Sequence, residues 1–261
     1  MITNEDATWP ELLREPAAGD HFVQIWDDEA FLCEAAAEDI GTGLRRGEAA
    51  IVVASPSHRA AFVTRMEAHG VAARAALRRG RLVLLDAEET LARFTPGGMP
   101  DWQAFHALAG GLIAKLRLEY PAVRAFGEMV DVLWQRGERA AAMRLEEFWT
   151  DLARLQTFSL LCAYRMDNLD AAAYRGPLEC VCKGHTHLIP ARDYHRFNDV
   201  VMQASEEVLD TPLAQMLLSL SERHRPETAM PRGQATLIWL QHNMPRTAEK
   251  VLAQVRARTT A

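Results

Sequence analysis

Glu128 carries the most pointed chemistry in this sequence. It closes the apolar run VRAFG, and a carboxylate at the end of a buried strand can hold a cation or hydrogen-bond a ligand. It can equally cap the N-terminus of the helix that follows, where the dipole favours negative charge. Asp27 and Asp28 follow the apolar run HFVQIW in the same way, and capping of the next helix is the favoured reading for them. Asp86 follows RLVLL with the same two options. Ser55 and His58 lie in SPSHR, directly after AAIVVA. His58 reads as a solvent-exposed histidine or as a ligand contact. Trp134, Phe148 and Trp149 are aromatic positions that can line a pocket for a small organic molecule or fill a core, and core is the favoured reading. Cys180, Cys182, His185 and His187 form C-x-C-x2-H-x-H. Thiolate and imidazole suit zinc, but the spacing is tighter than in common zinc fingers, so a strand with small apolar cysteines is the favoured reading there. Cys162 lies inside an apolar run and is expected to be buried and inert. Ser55 and Ser159 lack a G-x-S-x-G setting, and no nucleophilic triad is visible.

These residues need a frame. The periodicity predicts strands at 21–26, 49–54, 81–85, 123–126 and 158–163. Helices are predicted at 27–46, 56–70, 87–94, 102–118, 129–135 and 138–154. Gly47 ends the first, and Asp101 caps the fourth. Apolar strands alternating with amphipathic helices give βαβ units and a mostly parallel sheet. In such sheets ligands bind at the carboxyl ends of the strands. Asp27, Asp28, Ser55, His58, Asp86, Glu128 and Tyr164 all fall at those ends. Residues 169–195 read as loop-rich, and the chain is helical from about 199. Val208, Leu209, Leu213, Met216, Leu217 and Leu220 make one apolar stripe there. Leu237, Ile238, Leu240, Val251, Leu252 and Val255 make a second, interrupted at Pro245. A faint echo links 217–229 with 237–248.

Four blocks, in order, resemble the MEDS domain, a methanogen/methylotroph sensory domain associated with a dichloromethane-responsive repressor. They are GLRRGEAAIVVASPSHRAAF (43–62), GRLVLLDAEETLARF (80–94) with GGMPDWQAF, VRAFGEMVDVLWQRGERAAAMRLEEFWTDL (123–152) and FSLLCAYRM (158–166). KGHTHLIP (183–190) closes the pattern. The resemblance spans about 20–195, with 1–19 as an N-terminal segment and 196–261 as a C-terminal helical region. It implies a RecA/KaiC-like α/β fold and a role in signal reception, alone or alongside a histidine kinase or transcription regulator. It also implies loss of the phosphate-binding loop. The residues agree: WDDEAFLCEAA after the first strand has no glycine or lysine, and no GxxxxGK[ST] occurs elsewhere.

The chain has 261 residues, 49% hydrophobic and 25% charged, with net charge −6 and pI near 5.9. This is a globular composition, and its acidity argues against a generic nucleic-acid binder. No apolar run reaches the length of a membrane span. A cytoplasmic location and free thiols among the four cysteines are therefore expected. The expected protein is a non-catalytic sensor without a cofactor that binds a small ligand and works as a homodimer or with a signalling partner. Two other readings stand beside it. One is a nucleotide-binding ATPase with an unusual loop. The other is a DNA-binding regulator using Arg223, Arg225, Arg232, Arg246, Lys250, Arg256 and Arg258.

Overall fold

The computed structural model describes residues 8–223 and 228–259. Six strands form one parallel sheet in the order β3-β2-β4-β5-β1-β6, with helices around it. This is the α/β architecture expected, consistent with a RecA-like core followed by helices. The elements in chain order begin with α1 (Trp9–Arg14), β1 (His21–Trp26), α2 (Glu29–Arg45), β2 (Ala49–Ala54), α3 (Pro56–Ala68) and α4 (Ala73–Arg78). Then come β3 (Leu82–Asp86), α5 (Ala87–Ala92), α6 (Trp102–Phe105), α7 (Gly111–Glu119), β4 (Val123–Gly127), α8 (Met129–Gln135), α9 (Arg139–Leu155) and β5 (Ser159–Arg165). The last are α10 (Ala171–Tyr174), α11 (Pro177–Cys182), β6 (His187–Ile189), α12 (Tyr194–Leu209), α13 (Thr211–Arg223), α14 (Arg232–Asn243) and α15 (Pro245–Thr259).

The chain divides into two compact units. The first is Trp9–Gln24 with Asp28–Arg165. Its strands β2 and β4 are buried along their whole length, which is why they read as near-continuous apolar runs. Edge strand β3 is only partly covered. β2 pairs in parallel with β3 and β4, so Ala54 lies opposite Asp86 and Val53 opposite Gly127. Asp28 caps α2 through a bond from the Ala30 N–H at 2.8 Å. Ser55 caps α3 with Pro56 in the first turn. Asp101 caps α6 through the Ala104 N–H. Phe94, Phe105, Phe148 and Trp149 make a buried aromatic cluster with ring centroids 4.9–5.6 Å apart. Each such ring contributes about 1.5–3 kcal/mol by leaving water.

The predicted helix over 102–118 is not continuous. A π-turn at His106–Gly110 separates α6 from α7. Gly110 permits the bend to pack closely: a methyl there would meet Gln156, His106 and Leu152 at 3.2 Å. Gln156 donates to the Gly110 carbonyl at 3.1 Å, serving a backbone group at the wide turn. The short helices α1 and α4 carry too few residues to show a period and are missed by sequence reading.

The second unit contains Ile25–Asp27 and the described residues of Met166–Ala261. Residues 169–195 are not loop-rich. They hold α10, α11 and β6, and Cys180 and Cys182 belong to a helix rather than a strand. Pro177 at the first helical position explains the change, since its fixed φ suits a helix start. β6 meets Ala229 through the Leu188 N–H, at 2.9 Å. The Val208–Leu220 stripe is broken at Asp210, which has φ 67° and starts a new helix. Leu217 and Ala214 are buried, and α12, α13, α14 and α15 pack on one another. Of the stripe itself only Leu217 is buried; Val208, Leu209, Leu213 and Leu220 are partly covered and Met216 is exposed. Pro245 opens α15, as the interruption in the sequence suggested. Residues 224–227, which belong to the proposed internal echo and include Arg225, lie outside the described residues.

Candidate functional site

The site grows from the carboxyl ends of neighbouring strands in the first unit. β2 ends at Ala54, β3 at Asp86 and β4 at Gly127, and the parallel register sets these ends level. The residues that follow, Ser55 and Glu128, therefore meet. The Glu128 N–H donates to the Val53 carbonyl at 2.9 Å, extending the ladder by one step.

Glu128 occupies the N-cap position of α8 but makes no capping hydrogen bond. Its carboxylate turns to β2 and α3 instead. Oε2 accepts the Ser55 N–H at 3.0 Å. Oε1 lies 2.6 Å from His58 Nδ1. Capping does not explain this glutamate. His58 is held, not solvent-exposed: its ring stacks on Phe62 at 6.0 Å. Its Nε2 lies 4.0 Å from Glu29 Oε1, so two carboxylates bracket the imidazole. The hydrogen bond to Glu128 raises the His58 pKa, against the opposing effect of burial. The arrangement favours an imidazolium beside a carboxylate.

The other expected residues divide. Asp86 caps α5 through the Glu88 and Glu89 N–H groups and pairs with Arg59 at 2.9 Å. Asp28 is an exposed helix cap, and Asp27 is exposed. Trp134 is half-buried, with the Arg139 guanidinium 5.1 Å from its ring centre. Tyr164 is a correction. It is fully buried, packs edge-on to Trp134 and donates to Glu146 Oε1 at 2.7 Å, so it is a core residue and not a crevice wall. Burial first, and then the Glu146 charge, push its pKa far above the usual phenol range. Cys180, Cys182, His185 and His187 do not gather as one set: among the described residues Cys180, Cys182 and His187 belong to no metal-ligand group. Cys182 is buried, and burial lifts its thiol pKa to about 12. Two positions apart on a helix, Cys180 and Cys182 face different directions. His187 bonds Thr186 Oγ1 at 2.8 Å, and the His185 N–H reaches the Cys182 carbonyl.

Sequence reading missed three groups. Asp131 is buried on α8, where it accepts the Arg165 N–H at 3.0 Å and the Gln135 amide at 2.9 Å. Burial raises its pKa, and these bonds oppose the rise. Arg124 is fully buried in β4. It binds Asp39 at 2.8 Å and Glu48 at 2.6 Å, and also the carbonyls of Leu13, Arg14 and Asp39. Burial lifts Asp39 to about 6 despite the guanidinium. The third group is His21 and Glu146, which meet Cys162. A signal for Glu146 was present: it shares a helix face with Ala142 and Trp149, where apolar residues belong.

The fold is thus an α/β domain whose polar residues converge where parallel strands end, the general place of a small-molecule site in such sheets. The family model for MEDS, "MEthanogen/methylotroph, DcmR Sensory domain", matches residues 20–180. The chain belongs to this sensory-domain family. No curated protein is similar enough to match it.

Proposed function

We propose that this protein is a non-catalytic sensor that binds a small ligand through the Ser55–His58–Glu128 constellation and passes the signal to a protein partner. The observation that carries the reading is the 2.6 Å pairing of His58 Nδ1 with Glu128 Oε1 at the joined ends of β2 and β4. Glu128 forgoes its helix cap to make it. A structural carboxylate at that position would cap.

Membership of a sensory family supports the class of function. The paired imidazole and carboxylate offer a hydrogen-bond donor and acceptors to a polar ligand group. Nucleotide binding has less support. The Asp28 carboxylate already takes an amide at the N-terminus of α2, where a phosphate would otherwise sit. Nucleic-acid binding also has less support, because Arg256 is paired with Asp167 and Arg258 with Glu207. A homodimer or a signalling protein such as a kinase or transcription regulator is the partner we favour.

Native mass spectrometry of the purified protein, with and without ATP and Mg²⁺, tests this reading. The expected result is a small molecule at fixed stoichiometry that disappears in Glu128→Ala, with no ATP uptake. Stoichiometric, magnesium-dependent ATP binding would replace the sensor reading with a nucleotide-binding one. A bound molecule unaffected by Glu128→Ala would move the site elsewhere.

A further inference from the structure

Three side chains of different chemistry meet inside the first unit, away from the Glu128 constellation. His21 comes from the start of β1, Cys162 from β5 and Glu146 from α9. All three are buried. His21 Nε2 lies 3.3 Å from Cys162 Sγ and 3.4 Å from Glu146 Oε2. Cys162 Sγ lies 3.7 Å from the same Oε2. One imidazole nitrogen, one sulfur and one carboxylate oxygen therefore mark the corners of a small triangle.

That triangle has the size of one face of a metal tetrahedron. Zinc takes nitrogen at about 2.0–2.1 Å, sulfur at about 2.3 Å and carboxylate oxygen at about 2.0–2.2 Å in tetrahedral geometry. These lengths place nitrogen and oxygen about 3.4 Å apart, and either of them about 3.6 Å from sulfur. The observed edges depart from those values by a few tenths of an ångström or less. The rest of the carboxylate is already positioned. Tyr164 donates to Glu146 Oε1 at 2.7 Å, leaving Oε2 for the triangle. A hydrogen bond that orients a ligating carboxylate is a regular companion of metal sites.

We propose that His21, Glu146 and Cys162 bind a divalent transition-metal ion of the zinc class. The alternative is a purely structural network of thiol, imidazole and carboxylate. A core needing only volume at these positions would use apolar residues, because a buried carboxylate is costly. Thiolate and imidazole together select zinc-like ions over magnesium or calcium. Three protein ligands leave a fourth corner for a further donor. The proposal is independent of the ligand reading at Glu128.

The test uses the full chain, stripped with a chelator and titrated anaerobically with Co²⁺. The expected result is one Co²⁺ per chain with a near-ultraviolet thiolate-to-cobalt band, bleached by added Zn²⁺. The band should vanish in Cys162→Ser and persist in Cys180→Ser/Cys182→Ser. His21→Gln should weaken binding at least about tenfold while circular dichroism stays native. If Cys162→Ser does not fold, the wild-type titration and His21→Gln decide. No Co²⁺ uptake, a spectrum without the thiolate band, or a band that survives Cys162→Ser or is unchanged by His21→Gln would each overturn the proposal.

Discussion

The Tyr164 hydroxyl donates to Glu146 Oε1 at 2.7 Å, joining the carboxyl-terminal half of β5 to the middle of α9. Both groups are buried, so removal of the donor is felt fully. Tyr164→Phe keeps the ring against Trp134 and deletes only the hydroxyl. The expected loss of stability is about 1–3 kcal/mol, read by urea denaturation. The same variant should lower cobalt affinity about 10–100-fold, because Glu146 loses its orienting bond. Unchanged stability would mean that the hydroxyl contributes nothing net.

The His58–Glu128 pair makes stability depend on pH in a defined direction. The folded-state pKa of His58 is raised, chiefly by its bond to Glu128. The folded chain thus holds that proton more tightly than the unfolded chain does. The resulting stabilisation is fully present below the unfolded histidine pKa of about 6.5. It is lost as pH rises through the higher folded value. His58→Gln should therefore cost more stability at about pH 6 than at about pH 9. Thermal unfolding of both proteins across this range measures the difference. A gap that is constant or widens with pH contradicts the pairing.

Arg124 neutralises two carboxylates inside the first unit, and Gly43 makes room for it. A methyl on Gly43 would stand 2.7 Å from Arg124 Cδ and Nε. Gly43→Ala should destabilise the fold by about 1–3 kcal/mol. Arg124→Met should cost about 3–5 kcal/mol, because Asp39 and Glu48 lose their counter-charge. Asp39 sits at about 6 even with Arg124 beside it. Without the guanidinium its pKa rises further, so protonation relieves the buried charge. The penalty of Arg124→Met should accordingly shrink as pH falls from neutrality through the Asp39 pKa. Denaturation midpoints at several pH values check both parts.

Leu217 is buried within the second unit and Leu213 is partly covered. Leu213→Asp with Leu217→Asp should loosen that unit itself, by more than about 2 kcal/mol, since buried charges lack partners there. Calorimetry should show an earlier transition. Met216 is 53% exposed on the same helix. Met216→Asp is the cleaner probe of a dimer through this face: light scattering should show a lower mass with unchanged melting.

The sequence by itself determined the alternation of strands and helices and the Glu128 position. β2 and β4 are legible because strands buried on both faces need apolar residues throughout, and AAIVVA and VRAFG nearly comply. Asp28, Ser55 and Asp101 are legible as caps because capping is a local interaction between near neighbours. Arg124 was hidden for the opposite reason. Its partners Asp39 and Glu48 lie 85 and 76 positions away, and no period announces such a pair. Only the tertiary structure decided that Glu128 serves Ser55 and His58 instead of its helix, because β2 and β4 must first pair in register. It also moved Tyr164 from crevice to core and set the buried Cys162 beside His21 and Glu146. A histidine, a glutamate and a cysteine from β1, α9 and β5 converge only when the strands are ordered and the helix is laid against them.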